Sequence, residues 1–313
     1  MDQIKLLPRG LWPVMLTPFL ENYHLDLKGL RRLTDFYLSS GVNGLFSNCL
    51  SSEMFQLNEE ERLTIIKTVV DQCQNKVPVI ATGSFTSNTN TSADFIKKVY
   101  DQGVAAVIVI SSVVAGIHED DDVLKTRLEH ILNDTGQIPL GIYECPLPYK
   151  RLISPEMMNW LAATGRFFYH KDTSCSNENI KEKLSALKNS HFSLFNADTP
   201  TALQSLQDGA RGISPISANY YPELYTYFLN KFYEQGITGD LNNLNRQLII
   251  MDKINHCFYP YAAKWFLQKR GLKISTTTRT SYEAMTAADK IRLEAVYVHF
   301  QQLTHQYEIE LKL

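Results

Sequence analysis

Phe167-Phe168-Tyr169-His170-Lys171-Asp172-Thr173-Ser174 reads as a strand that carries one lysine near its end and then breaks into a polar turn. The aromatic start has strand character, and the Asp-Thr-Ser run has turn chemistry. A strand that delivers an amine to its own C-terminal end can make it a nucleophile toward a carbonyl, because partial burial disfavours the charged form. A Schiff base on Lys171 is therefore the chemical expectation. The local sequence also accommodates a lysine whose stem lies on apolar surface while its head reaches water. The other strands must decide between the two.

Working outward, short β-branched or aromatic runs recur, each followed by a helical pattern. The spacing predicts strands over Gly10 to Thr17, Gly44 to Ser47, Val77 to Thr82, Ala105 to Ser111, Ile138 to Glu144, Phe167 to Lys171, Phe192 to Asn196 and Gly212 to Ile216. Amphipathic segments between them include Asn58 to Gln74, Ser92 to Gln102 and Asn177 to Leu187. Asn58 with Glu61, Ser154 with Pro155 and Thr199 with Pro200 are helix-start signals. Eight β-then-α units imply a parallel sheet with helical crossovers, which closes naturally into a (β/α)8 TIM barrel over residues 1–236. An open doubly wound sheet is the alternative, weakened by the lack of a GxGxxG or Walker-type glycine loop. Leu241 to Cys257, Tyr261 to Lys269 and Tyr282 to Tyr307 read as helices without strands between them. Residues 237–313 are thus expected to form a C-terminal helical extension packed on the barrel, since no flexible linker precedes them.

Composition narrows the partners. A formal net charge of −2 over 313 residues gives no reason to expect nucleic acid, and no basic run suggests an anionic membrane surface. No segment approaches the ~18 uninterrupted apolar residues of a membrane helix, and Met1 to Lys5 has no apolar signal core. A cytoplasmic protein with a small-molecule partner is expected. The five cysteines are spread without CxxC pairing and read as reduced thiols. The eight histidines form no HExxH or His-x-His pair, and no carboxylates cluster at ligand spacing, so a metal has no support in the sequence.

In a barrel, residues that end different strands converge on one face. Strand five ends in Tyr143-Glu144-Cys145-Pro146, and a phenol beside a reactive amine can move the protons of imine formation and carbon–carbon cleavage. Tyr143 is the candidate shuttle. Strand two runs into Asn48-Cys49-Leu50-Ser51-Ser52-Glu53, where hydroxyls and backbone N–H groups can hold a carboxylate such as a 2-oxoacid presents. Ser51 and Ser52 are candidates there, and a solvated serine loop is the other reading.

These positions together resemble the dihydrodipicolinate synthase and N-acetylneuraminate lyase family of pyruvate-dependent class I lyases and aldolases. The resemblance runs through Gly10 to Phe19 (GLWPVMLTPF), Ser51-Ser52-Glu53, Leu57-Asn58-Glu59-Glu60-Glu61-Arg62, and the YxxP of Tyr143 and Pro146. It continues through Lys171 to Ser174, Gly212-Ile213-Ser214 with Ala218-Asn219 and Pro222, and Tyr259-Pro260 before Ala262-Ala263-Lys264. It implies that Lys171 forms the imine and Tyr143 shuttles the proton. It further implies that Ser51 and its neighbours hold the carboxylate and that Ile213, Ser214 and Thr173 line the pocket. The protonated imine is then the electron sink, so no metal or organic cofactor is needed, and a homo-oligomer (tetramer or dimer) is expected.

The chain also departs from that pattern. The usual Gly-Thr-Thr-Gly-Glu turn is Cys49-Leu50-Ser51-Ser52-Glu53, which puts Leu50 where a relay hydroxyl is expected. Ser112-Val113-Val114 stands where dihydrodipicolinate synthases place a relay tyrosine, and Pro148 where they place a carboxylate-binding arginine. Glu144 replaces an asparagine, facing either the substrate or, by strand alternation, the outside. Asp198 lies where sialic-acid lyases grip the sugar chain, or else it caps the following helix. Three functions stay in view: a lyase or aldolase on a 2-oxoacid, a lapsed enzyme that binds a 2-oxoacid as a sensor, and an unrelated barrel with a structural lysine. True dihydrodipicolinate synthase activity is disfavoured.

Overall fold

The computed structural model describes residues 6–281 and 285–313. The expectations that fall on Met1 to Lys5 and on Tyr282, the predicted start of the last helix, lie outside them. In chain order the strands are β1 (Gly10–Leu11), β2 (Leu45–Ser47), β3 (Val79–Thr82), β4 (Ala106–Ile110), β5 (Leu140–Tyr143), β6 (Phe167–Asp172), β7 (Ser193–Asn196) and β8 (Gly212–Ile213). Helices α1 (Leu27–Ser39), α2 (Glu59–Cys73), α3 (Thr89–Tyr100), α4 (Ser111–Val114), α5 (Asp121–Asp134), α6 (Pro155–Ala163), α7 (Asn177–Ala186) and α8 (Thr199–Gln207) alternate with them. Four more follow β8: α9 (Pro222–Gln235), α10 (Gly239–Asn255), α11 (Tyr261–Arg270) and α12 (Ala287–Gln306).

The elements gather into two compact units. One holds residues 78–214 with the described residues 6–9, and the other holds 10–77 with 215–313. In the first, β3 to β8 pair in parallel, each strand with the next in sequence. Val107, Ile108, Val109 and Ile110 of β4 are all fully buried, the continuous apolar run of a strand covered on both faces. Gly141 belongs to the same logic: a Cβ there would lie 2.4 Å from Ile108 Cδ1 and 2.6 Å from the Tyr169 carbonyl oxygen. The ladder between β5 and β6 shifts register at that point.

In the second unit the chain beyond β1 runs parallel to β2, with Met15 N–H donating to Phe46 O (2.9 Å) and Phe46 N–H to Pro13 O (3.0 Å). The predicted strand Gly10 to Thr17 is therefore present but broken, because Pro13 has no N–H to give. Pro215 cuts the predicted strand Gly212 to Ile216 short in the same way. Helix α3 begins at Thr89 and not at Ser92, since the Asn88 side chain accepts from Thr91 N–H and caps it there. After β8, α10 packs on α9, and α11 packs on α12 and on the turn Ile216–Asn219. Phe266 of α11 meets Tyr221 and Phe300 edge-on, and the buried pair Arg270–Glu223 (2.5 Å) lies beside them. No helix among the described residues is long and apolar enough to cross a membrane.

Gly141→Ala should cost about 1–3 kcal/mol of stability, because a methyl group is forced against a backbone carbonyl that cannot swing away. Urea unfolding of the purified variant reads this as a lower midpoint, and an unchanged midpoint would mean that β5 and β6 are more yielding than their spacing indicates.

Candidate active site

At the C-terminal ends of β5 and β6, Tyr143 and Lys171 are register partners. Lys171 Nζ lies 4.6 Å from the centroid of the Tyr143 ring, and the two residues are only 4% and 3% exposed. The sequence places them there by simple means. An apolar run builds each strand, and period-two alternation turns Lys171 to one face while His170 and Asp172 turn to the other.

On that other face the structure assembles a cluster that sequence spacing did not reveal. Glu144, His170, Asp172 and the α7 residue Lys183 are all fully buried. The Lys183 ammonium donates to Glu144 Oε1 and, at 2.6 Å, to Asp172 Oδ2. His170 Nε2 lies 3.6 and 3.7 Å from the same two oxygens. Burial works to raise the Asp172 pKa, but the nearby His170 and the charge of Lys183 outweigh it and hold the carboxyl well below its usual range. Glu144 thus faces α7. Its Oε1 also accepts from Ile153 N–H (2.7 Å) and its Oε2 from Thr173 N–H (3.0 Å).

Around this core the remaining expected site residues of the first unit take distinct places. The Thr173 hydroxyl donates to Glu144 O (2.6 Å), so both its polar hydrogens serve the turn. Ile213 is the register partner of Asn196, and Ser214 N–H donates to Asn196 O at 2.7 Å. Asp198 caps α8, accepting from Thr201 N–H (3.1 Å) and the Thr201 hydroxyl (2.8 Å). Val114 is buried in α4 and its carbonyl accepts from Arg127, while Pro148 is exposed.

Ser51 and Ser52 belong to the second unit. The Ser52 hydroxyl donates to Met15 O (2.6 Å) and accepts from Cys49 N–H (3.0 Å), which commits it to holding its own turn. Ser51 is hydrogen-bonded to Tyr259. Tyr259 OH in turn accepts from the Asn219 side-chain amide (2.7 Å), whose oxygen accepts from Tyr37 OH. Burial pushes the Tyr259 phenol up, against the opposing hydrogen bond with Ser51, and burial with the nearby Tyr259 and Cys49 pushes Tyr37 up likewise. Both stay neutral donors. Tyr259 and Asn219 stood in recognisable motifs, but their joining to Ser51 is a tertiary fact.

Among the described residues three lysines are buried: Lys171, Lys183 and Lys264. Lys264 is ion-paired to Glu53 (2.9 Å) and donates to Thr277 O (2.7 Å), and burial lowers its pKa against the pull of Glu53. The other oxygen of Glu53 accepts from the N–H groups of Arg279 and Thr280. Lys183 and Lys264 are each ion-paired to carboxylates, and Lys171 lies over the Tyr143 ring. All five cysteines are free thiols.

The model of the dihydrodipicolinate synthetase family matches residues 7–299. The chain belongs to that family. It is a family of class I aldolases and lyases, and the chain is accordingly an enzyme of that type. Among its relatives, a 4-hydroxy-tetrahydrodipicolinate synthase of Trichlorobacter lovleyi is 26% identical over 297 residues, covering 94% of this chain and 99% of the relative. Among solved structures, an E. coli K12 prophage protein of the dihydrodipicolinic acid synthase family, in complex with pyruvate, aligns with a TM-score of 0.85. It is 20% identical and covers 94% of this chain and 98% of its own. The Thermotoga maritima dihydrodipicolinate synthase gives the same TM-score at 20% identity, with 94% and 99% covered. The fold of this family member is the one these structures share.

Asp172→Asn should destabilise the protein by about 3–5 kcal/mol near neutral pH, since it leaves Lys183 short of a counter-charge. The folded-state pKa of Asp172 is depressed, so its contribution is complete above the unfolded value of about 3.9 and is lost as pH falls through the folded one. Urea unfolding of both proteins from neutral pH downward should show the gap between them closing only below about pH 4. A gap that closes at higher pH would contradict the assignment.

Proposed function

We propose that this protein is a Schiff-base-forming lyase or aldolase that makes or breaks a carbon–carbon bond of a 2-oxoacid of the pyruvate type through an imine on Lys171. The observation that carries the reading is the register pairing of Lys171 with Tyr143 at 4.6 Å from Nζ to the ring, both buried at the C-terminal ends of adjacent parallel strands. The pyruvate held by the E. coli relative supports the substrate class. In keeping with the family, we read the eight strand–helix units as a closed (β/α)8 barrel over residues 1–236 with residues 237–313 as its helical extension. We take the protein to act in the cytoplasm as a homo-oligomer.

The neutral Lys171 amine adds to the C2 ketone. Loss of water, with the Tyr143 hydroxyl giving its proton to the departing oxygen, leaves a protonated imine beside the Tyr143 phenolate. In cleavage, the phenolate takes the C4 hydroxyl proton, the C3–C4 electron pair becomes the C2=C3 bond as the C=N pair moves to nitrogen, an aldehyde leaves, and an enamine remains. Protonation at C3 and hydrolysis return the free lysine and the shortened 2-oxoacid, and condensation runs the same steps in reverse. Ser51 is the hydroxyl assigned to the substrate carboxylate, oriented by its bond to Tyr259. Ser52 and Thr173, whose hydroxyls hold their own turns, contribute to shape, with Ile213 and Ser214 lining the pocket.

The aldehyde partner is not aspartate semialdehyde on this reading. Pro148 stands at the position of the family's carboxylate-binding arginine, and Leu50 and Val114 remove both further hydroxyls of its relay. The Ser51–Tyr259–Asn219–Tyr37 chain is a hydroxyl network that this protein has in their stead.

Borohydride in the presence of pyruvate should add a reduced pyruvyl group to Lys171, and peptide mass mapping locates it. An adduct on another lysine, or none, sinks the proposal. Lys171→Ala should abolish trapping and Lys171→Arg should do no better, because a guanidinium stays protonated. Tyr143→Phe should lower kcat on the true substrate by at least ~10²-fold. Robust condensation of pyruvate with aspartate semialdehyde, assayed on the same preparation, would contradict the substrate assignment alone.

A further inference from the structure

We propose that the buried cluster behind β6 is a clamp that aims the Lys171 amine, with Glu144 and Lys183 as its positioning residues. The inference rests on the reading of Lys171 as the imine lysine. Lys171 is flanked on its strand by His170 and Asp172, and both point into this cluster on the face opposite the amine. Tyr143 is followed at once by Glu144, which enters the same cluster from β5. The two residues assigned to the chemistry are therefore held through the side chains beside them.

The backbone bond that joins the two strand ends to each other is weak at this point. The last hydrogen bond between the two strand ends, from Glu144 N–H to Lys171 O, is long at 3.3 Å. Side-chain bonds take over where the ladder loosens. Glu144 accepts from Thr173 N–H on the segment after β6 and from Ile153 N–H on the segment before α6. Asp172 Oδ1 accepts from Ser174 N–H (2.9 Å) and the Ser174 hydroxyl (2.8 Å). Lys183 then ties the two carboxylates to α7, through the same pair of oxygens that His170 faces.

Glu144, His170 and Asp172 lie close enough together to ligate a cation. The Lys183 ammonium already binds between the two carboxylates, so the cation of this site is part of the chain. Well-packed apolar side chains of similar volume would match such a cluster in stability. What the bonds of Glu144, Asp172 and Lys183 add is direction: each has a fixed angle, and together they set where the Lys171 Cα–Cβ vector points. The ion pair also accounts for the departure at Glu144, since a buried glutamate is tolerable only with a partner such as Lys183.

The test measures three quantities on the full-length protein: the rate constant of borohydride-trappable imine formation at saturating pyruvate, the pyruvate concentration for half-saturation, and the urea unfolding midpoint. Glu144→Gln should stay folded and keep half-saturation within about threefold, while the trapping rate falls by at least ~10-fold, since an ångström of misplacement costs on the order of 10²-fold. Lys183→Met should lose stability and rate together. In the double variant Glu144→Gln/Lys183→Met, one charge of each sign is gone, so stability should partly recover while the rate stays low.

A merely structural cluster would make the rate follow stability across the three variants, and that result overturns the clamp. A Glu144→Gln rate within twofold of the unaltered protein overturns it as well. If the unaltered protein gives no adduct on Lys171, the functional reading falls and takes the clamp with it. An adduct with indifferent variants removes the clamp alone.

Discussion

Period-two alternation along β6 puts an amine on one face and a fully buried ionic cluster on the other, and most of what is distinctive in this protein follows from that division. Lys171 can lie over the Tyr143 ring because His170 and Asp172 must turn away from it. Asp172 then needs a partner in a place without water, and Lys183, which it shares with Glu144, supplies it. A buried ion pair of this kind is poor evidence for added stability, because desolvation consumes most of the Coulombic gain. Its value lies in geometry, since the bonds of Glu144 and Asp172 tie together the segments that follow two neighbouring strands.

The second unit handles polarity differently. Neutral hydroxyls and an amide form its buried network, from Tyr37 through Asn219 and Tyr259 to Ser51, and burial keeps both phenols protonated. Neutral groups can trade hydrogen bonds with a carboxylate without adding a competing charge. This unit also buries two ion pairs, Lys264 with Glu53 and Arg270 with Glu223. The Glu53 pair also anchors the segment around Arg279 and Thr280.

Membership in the dihydrodipicolinate synthetase family fixes the type of chemistry without settling what the enzyme acts on. By the resemblance, Leu50, Val114 and Pro148 stand where that family handles protons or a second carboxylate, and Lys171 and Tyr143 stand where it has its imine lysine and tyrosine. On the proposed function, keeping the imine pair while changing its surroundings means a different aldehyde partner for the same electron sink. Glu144 with Lys183 is a further change, on the far side of the strands from the chemistry.

The sequence by itself determined the alternation of strands and helices, the pairing of an amine and a phenol at adjacent strand ends, and the family. Those features rest on local period, on punctuation by Pro and Gly and on motif order, all of which are written along one chain. It misjudged strand lengths where Pro13 and Pro215 remove a donor, and it missed the Asn88 cap that starts α3 early. Only the tertiary structure decided that Glu144 faces α7, that Ser52 and Thr173 hold turns, and that Asp198 caps a helix. The same holds for Lys183, which lies 11 residues beyond Asp172 and 39 beyond Glu144 and looks like any helical lysine until α7 docks. The physical reason is that burial and partnership are properties of packed elements: a lysine's charge is written in the sequence, but whether water or two carboxylates answer it depends on what folds against it.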